Sequence, residues 1–179
     1  RILVALGALV LGTTAFAQTA ETQVGQNTLA EAAIGFGFRL GAYFPAESSL
    51  RRGGTAWVDF GVEYDFERSM FRNGTTYASL DWNSPKFLGG EHFMTLGINQ
   101  RFYTSHQRYA PSGTSYFYLG VGAGFLHHSG SDDSTWMVRG GVGVEMQQHY
   151  FLEVGGTLSP KIGGANPSGV SASIGYRFK

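Results

Sequence analysis

The sequence predicts an all-β protein, an eight-stranded antiparallel up-and-down β-barrel. From residue 34 almost to the end of the chain, apolar residues alternate with small or charged residues, which is the period of a β-strand. Clusters of turn-forming residues interrupt this alternation. The composition also departs from that of an ordinary soluble enzyme, with 27 Gly, 14 Phe and 9 Tyr among 179 residues.

The first 17 residues, 1–17, have the features of a secretory signal peptide. Arg1 precedes the apolar run Ile2–Leu11, and Ala15-Phe16-Ala17 matches the small-residue pattern of a cleavage site. The apolar run has about ten residues, whereas a helix that crosses a bilayer needs roughly 20. We therefore expect export of the chain and cleavage after Ala17.

Two further regions follow this segment. Residues 18–33 are polar and small with little apolar periodicity, and we interpret them as a short periplasmic lead-in. Residues 34–179 are expected to form the barrel as one domain, because no composition shift divides them.

Each strand is predicted from its own alternation. In Ile34–Phe44 the apolar residues alternate with residues such as Arg39, and in Ala56–Phe66 they alternate with Asp59 and Glu63. The six remaining predicted strands are Thr75–Trp82, Phe93–Tyr103, Ser115–His127, Thr135–Met146, Tyr150–Leu158 and Gly169–Phe178.

Eight alternating strands fit a soluble barrel or sandwich with its apolar face inward, or a membrane barrel with that face outward. A solvated outer face would be crowded with Lys and Glu, yet Gly, Ser and Thr dominate the face opposite the apolar one. The lysines Lys86, Lys161 and Lys179 lie in predicted loops or at the terminus. Aromatic residues gather near strand ends, as they do at membrane–water boundaries. We therefore predict a transmembrane barrel.

The interior of an eight-stranded barrel is just wide enough for side chains to fill it. Buried charges require compensation, so we predict that arginines pair with carboxylates across the lumen and that glycines make room for them. A catalytic carboxylate pair is the alternative interpretation, and arginines on neighbouring strands favour the salt-bridged lumen. The predicted lumen charge network comprises Arg39, Asp59, Glu63, Asp81, Arg101, Arg139, Glu145, Glu153 and Arg177.

The last strand carries the most specific resemblance. The segment from Ser173 to Phe178 resembles the final strand of bacterial outer-membrane proteins, whose alternating aromatics are read by the barrel assembly machinery. Gly175, Tyr176 and Phe178 are the corresponding assembly signal here. Lys179 follows where such a strand usually ends in an aromatic residue.

With the signal peptide and eight strands, the mature chain resembles the small outer-membrane β-barrel family of the OmpA, OmpX and OmpW type. The resemblance implies a bacterial outer-membrane location, with outer-membrane lipids and lipopolysaccharide as partners and the assembly machinery as a partner during biogenesis. An even strand count implies that both termini are periplasmic. The connections expected to face outward are 45–54, 83–91, 129–134 and 159–168.

The function predicted from these features is structural. The outward connections are short and offer little surface for a protein partner, so we expect a monomer that serves envelope integrity or surface contacts, with no open pore. Arg51, Arg52 and Lys86 are candidate contacts for lipopolysaccharide phosphates, or simply solvated charges. Passage of small hydrophobic solutes, as in the OmpW type, is an alternative that the lumen arginines disfavour.

One enzymatic alternative concerns the end of the fifth strand. His127-His128-Ser129 loosely resembles the His-x-Ser element of the outer-membrane lipid A 3-O-deacylase family, which implies His127 as base and Ser129 as nucleophile. Gly130 stands where that family usually has Asn. Glu145 falls on the lumen face near the periplasmic end, so Asp132 or Asp133 would orient the histidine only if the loop folded back.

Other chemistries have no support in the sequence. The absence of Cys excludes thiolate catalysis and disulfides, and the balance of 13 basic and 13 acidic residues gives no basic excess for nucleic acid. His92, His106 and His149 lack the spacing of metal ligands. The run from Gly120 to Gly124 lies inside a strand rather than before a helix, so it is no nucleotide loop. We predict no cofactor and no metal.

Overall fold

The computed structural model describes residues 35–66, 69–71, 74–86, 90–104, 113–146 and 149–178. The predicted signal peptide and the lead-in, residues 1–33, lie outside the described residues. No helix among those described is long and apolar enough to cross a membrane. The strands are β1 Phe36–Pro45, β2 Trp57–Asp65, β3 Gly74–Ser84, β4 His92–Tyr103, β5 Thr114–His128, β6 Ser131–Met146, β7 Tyr150–Leu158 and β8 Gly169–Arg177, and a short 3-10 helix spans Leu50–Gly53.

The eight strands close into one barrel. Each strand pairs antiparallel with the next, and β8 pairs with β1. This topology confirms the predicted eight-stranded up-and-down barrel. We call the end that carries the start of β1 and the end of β8 the terminal end. The opposite end, which carries the connections after β1, β3, β5 and β7, is the distal end.

The hairpin of β5 and β6 is longer than the sequence predicted. Ser129 and Gly130 form the whole connection, and both have positive φ, 55° and 80°. Positive φ at both positions is typical of a type I′ turn, whose twist matches that of the flanking strands. The predicted loop 129–134 is therefore wrong: Asp132 lies in β6 and pairs with His127.

The apolar face of the sheet points outward. Leu119 and Val121 in the middle of β5 are 60% and 62% exposed, whereas Arg101 and Asp81 inside the barrel are 0% and 3% exposed. A soluble barrel has the reverse arrangement, because its apolar face forms the core and its charges are solvated. Further members of this apolar outer band are Phe38, Leu40, Phe60, Val62, Leu80, Leu96, Ile98, Phe117, Trp136, Leu152, Val154 and Ile174.

The distal end of the lumen is closed by apolar side chains, which we call the distal plug. The 3-10 helix contributes Leu50, and the Tyr43 hydroxyl donates a hydrogen bond to the Pro167 carbonyl in the connection after β7. This plug was not predicted from the sequence, because its members come from four strands and two connections that only the fold brings together. The members of the distal plug are Tyr43, Leu50, Trp57, Phe93, Leu126 and Ala165.

Candidate functional site

The lumen is filled by charged side chains. All nine members of the predicted charge network have side chains inside the barrel and are buried. Their ion pairs form one group in the middle of the lumen and a second group toward the terminal end.

In the middle group, Asp81 is shared by two arginines. Arg39 donates to Asp81 Oδ1 and Arg139 donates to Asp81 Oδ2. Thr95 Oγ1 also donates to Oδ2, at 3.0 Å. Arg39 lies 3.4 Å from Glu153. Strands β1, β3, β6 and β7 are therefore tied together through the lumen as well as through the sheet.

In the terminal group, Glu63 is shared in the same way. Arg101 Nη2 donates to both Glu63 oxygens at 3.1 Å, and Arg177 Nε donates to Glu63 Oε1. Arg101 also donates to Asp65 at 3.3 Å, and Arg177 donates to Glu145 at 2.8 Å. Because each carboxylate and guanidinium here has a charged partner, the cost of burying them is offset by pairing.

Tyrosine joins the two groups. The Tyr116 hydroxyl donates to Glu153 at 3.1 Å and accepts a hydrogen bond from Arg177 at 3.5 Å. The Arg101 guanidinium lies 4.2 Å from the ring centre of Tyr77, which adds a cation–π contact. These tyrosines and Asp65 were not part of the predicted network, although the alternation of their strands already places them on the lumen side.

Asp59 stands apart from these pairs. Its side chain is buried in the lumen, but no basic side chain among the described residues lies within ion-pair distance of it. Arg39 and Arg139 both donate hydrogen bonds to Asp81 instead. Asp59 lies across the sheet from Gly41 and Asn83, close below the distal plug. The pairing predicted for Asp59 is therefore not observed.

Glycines make the filled lumen sterically possible. A Cβ atom added to Gly143 would lie 2.3 Å from a ring carbon of Tyr116, and one added to Gly175 would lie 2.1 Å from a ring carbon of Phe151. Real Cβ atoms do not approach other heavy atoms this closely. The glycines of the lumen face therefore provide the space that the large side chains occupy.

The residues of the predicted assembly signal divide between the two faces. Gly175 faces the lumen, whereas Tyr176 and Phe178 lie on the outer face with their ring centres 5.0 Å apart. Tyr150 packs against Tyr176 at 5.1 Å, and Phe38 packs against Phe178 at 5.9 Å. These rings form an aromatic cluster at the terminal end. Reading of this strand by an assembly machinery stays a prediction.

At the distal end of the barrel, a histidine and a carboxylate lie close together on the outer face. His127 Nδ1 lies 2.7 Å from Asp132 Oδ1, and the ring of His92 stacks on that of His127 with centroids 5.2 Å apart. The two-residue turn creates this pair, because it sets Asp132 directly opposite His127. The expectation that a loop would have to fold back to bring Asp132 to His127 was therefore wrong.

The other residues considered for an esterase site, Ser129 and Glu145, make no hydrogen bond to His127. Ser129 occupies the turn, and no hydrogen bond joins it to His127 in the structure. Glu145 lies at the terminal end, where it accepts a hydrogen bond from Arg177. The acid beside the histidine is thus Asp132. Among the described residues, no group of three or more His, Cys, Asp and Glu side chains is arranged to hold a metal ion.

Comparison with known proteins identifies the fold. No protein-family model and no curated protein sequence matches the chain. The chain is similar to the outer membrane enzyme PagL, with a TM-score of 0.51 and 14% identity over 81% of this chain and 99% of that one. It is also similar to the Yersinia pestis outer membrane protein Ail, solved in a phospholipid bilayer nanodisc, with a TM-score of 0.52 and 13% identity over 81% of this chain and 99% of that one.

These likenesses show that the chain has the fold of the small eight-stranded outer-membrane barrels. They do not distinguish an enzyme from a structural protein, since PagL is an enzyme and Ail shares the same fold. The function has to be argued from the side chains of this barrel.

Proposed function

We propose that this chain is an integral outer-membrane barrel with a closed lumen, which serves envelope integrity or surface contacts. The observation that carries the proposal is the division of the sheet into two faces, with an apolar outer band and a lumen occupied by paired charges. An outer surface of exposed Leu, Val, Ile and Phe is stable in lipid and strongly unfavourable in water.

The lumen supports a structural role rather than transport. A conducting channel requires a continuous water-filled path, whereas here ion pairs between non-adjacent strands occupy the lumen at two levels. Arg139 of β6 pairs with Asp81 of β3, and Arg177 of β8 pairs with Glu63 of β2. The distal plug adds an apolar barrier at one end. Passage of a small hydrophobic solute as in the OmpW type is disfavoured on the same grounds, because the buried charges leave no continuous apolar route.

Two measurements on one preparation test this proposal. The protein from an outer-membrane fraction is run on a denaturing gel with and without boiling, since closed barrels resist detergent until heated. We expect a heat-dependent shift in mobility. The same protein in planar bilayers should give no stable unit conductance. A soluble periplasmic protein without a heat shift would refute the membrane barrel, and stable single-channel steps would refute the closed lumen.

A second candidate function, ester hydrolysis on a membrane lipid, is favoured by the pair of His127 and Asp132. With Nδ1 held by the carboxylate, Nε2 of His127 is left to act as the base. In the reaction, Ser129 Oγ would lose its proton to Nε2 as it attacks an ester carbonyl, and the alcohol would leave with that proton. Water would then release the fatty acid from the serine. The substrate class implied by the deacylase resemblance is the acylated headgroup of lipid A.

Mass spectrometry of lipid A from cells that express the chain tests this second candidate. The expected result is the loss of one acyl chain with the wild type, no loss with His127→Ala or Ser129→Ala, and a loss reduced at least tenfold with Asp132→Asn. His149→Ala at the terminal end is the matched control and should behave as wild type. An unchanged lipid A profile from a correctly inserted wild type would reject the esterase and leave the structural proposal intact.

A further inference from the structure

Asp59 of β2 is buried in the lumen without a partner for its carboxyl group. It is 3% exposed, and its side chain makes no hydrogen bond or ion pair within the described part of the chain. Each of the other buried carboxylates contacts an arginine. Burial of a carboxylate without such a contact is costly, because the charge loses its hydration and gains nothing in return.

The charges around Asp59 already balance without it. Arg39 and Arg139 both pair with Asp81, and Arg39 also contacts Glu153, so the group holds two positive and two negative charges. An ionised Asp59 would add a net negative charge to these desolvated, neutral surroundings. The titratable and charged side chains that face Asp59 are Arg39 and Tyr43 of β1, Asp81 of β3, Arg139 of β6 and Glu153 of β7.

Asn83 presents a second acceptor without a donor beside Asp59. The two residues are directly opposite each other on β3 and β2, which places their Cβ atoms about 4.5–5.5 Å apart. Asn83 Nδ2 donates to the Phe93 carbonyl on β4 at 3.2 Å, so the amide oxygen Oδ1 faces away from β4. Oδ1 is buried and has no hydrogen-bond partner in the described part of the chain. Exchanging the amide nitrogen and oxygen would only set two carbonyl oxygens against each other at Phe93.

A single proton satisfies both groups. A protonated carboxyl group is neutral and gains an O–H donor, which the unpartnered amide oxygen can accept. We propose that Asp59 and Asn83 form a proton-binding site of the folded barrel, in which the protonated Asp59 carboxyl donates to Asn83 Oδ1 at mildly acidic pH and returns its proton to water at alkaline pH. Trp57, two residues before Asp59 on the same face, belongs to the distal plug, so this proton sits directly beneath the plug. The inference goes beyond the structural role and does not depend on the esterase candidate.

Infrared spectroscopy of the full barrel in neutral detergent detects the proton directly, because a protonated carboxyl group has a C=O stretching band that a carboxylate lacks. Spectra are recorded at about pH 5.5, where exposed Asp and Glu side chains with pKa values of about 4 are ionised. We expect a band in the wild type that disappears by about pH 9 and is missing from Asp59→Asn. Glu47→Gln, which removes a carboxylate from the connection after β1, is the matched control and should keep the band. In Asn83→Leu the band should move to higher frequency, because the carboxyl group loses its acceptor.

Unfolding in urea tests the same site independently. Asp59→Asn keeps the shape of the protonated carboxyl group, and its amide can donate to Asn83 Oδ1 at every pH. The folded wild type holds a proton that the unfolded chain releases above about pH 4, so its unfolding equilibrium constant rises relative to that of the variant as the pH increases. We expect this ratio to increase about tenfold between about pH 5 and about pH 8, which corresponds to one proton released over about one pH unit.

Several results would overturn the proposal. They are a band that persists in Asp59→Asn, a band that Asn83→Leu leaves unshifted, or a ratio of unfolding constants that does not change with pH. An Asp59→Asn barrel that gives no heat-dependent shift, or that is less stable than the wild type at about pH 8, would also overturn it, since Asp59 would then be required as a carboxylate.

Discussion

Replacing Asp81 with Asn removes a negative charge that two buried arginines share. In the wild type, Arg39 and Arg139 both donate to this carboxylate. After the substitution, Arg39 still has Glu153 at 3.4 Å, whereas Arg139 keeps a hydrogen bond to Ser79 Oγ at 3.0 Å and a cation–π contact with Tyr118 but no carboxylate. One guanidinium therefore remains buried without a counter-charge.

The expected loss of stability follows from the one arginine that is left without a counter-charge. Removing one partner of a buried ion pair costs about 3–5 kcal/mol, because the remaining charge stays desolvated. Since one arginine is orphaned rather than two, we expect the free energy of unfolding to fall by about 4 kcal/mol. With a slope of about 2 kcal/mol per molar urea, the midpoint of unfolding should fall by roughly 2 M.

Urea unfolding of the refolded barrel in detergent or liposomes measures this change. Glu47→Gln, the same loss of a carboxylate in the connection after β1, is the control and should change the free energy by no more than about 0.5 kcal/mol. Adding Arg139→Gln to Asp81→Asn should recover part of the loss, because it removes the orphaned charge. Equal stabilities of Asp81→Asn and the Glu47→Gln control would refute the charge network as a structural element.

Three further predictions address other parts of the barrel. Gly175→Ala should reduce the folded, heat-modifiable fraction on gels, with a cost of about 1–3 kcal/mol from contact with Phe151, whereas Gly156→Ala, whose nearest neighbour atom would lie at 3.6 Å, should not. Val121→Arg in the middle of the outer band should cost about 2–4 kcal/mol in liposomes, whereas Leu158→Arg at the strand end should cost about 0–1 kcal/mol. Leu50→Ala should release the connection after β1 from the distal plug and speed its cleavage by protease, with little change in global unfolding.

The sequence was sufficient to predict the barrel, because the residues on the two faces of each strand differ in polarity. In β1, Arg39 alternates with Phe38 and Leu40, and the structure puts these residues on opposite faces. The connections left a weaker signal. The composition around Asp132 and Asp133 predicted a loop, but the turn has only two residues, so both aspartates lie in β6. The turn depends on backbone geometry at Ser129 and Gly130 that alternation does not reveal.

The sites were predictable only in part, for a related reason. Alternation assigns a residue to the lumen but does not say which partner it meets across the barrel. Asp59 and Asp81 have the same parity, yet only Asp81 receives the two arginines. The contact of His127 with Asp132 depends on the register of one hairpin, which is not encoded in the period of a strand.

The most direct test of the central claim, that the apolar face meets lipid, is spin labelling at single cysteines, which the absence of native Cys makes straightforward. Nitroxides at Leu119→Cys on the outer face and at Glu47→Cys in a connection are compared in liposomes for collisions with oxygen and with a water-soluble nickel chelate. We expect the label at Leu119 to collide with oxygen and to be shielded from the chelate, and the label at Glu47 to behave in the opposite way. Equal access of the chelate to both positions would contradict a membrane-facing outer band.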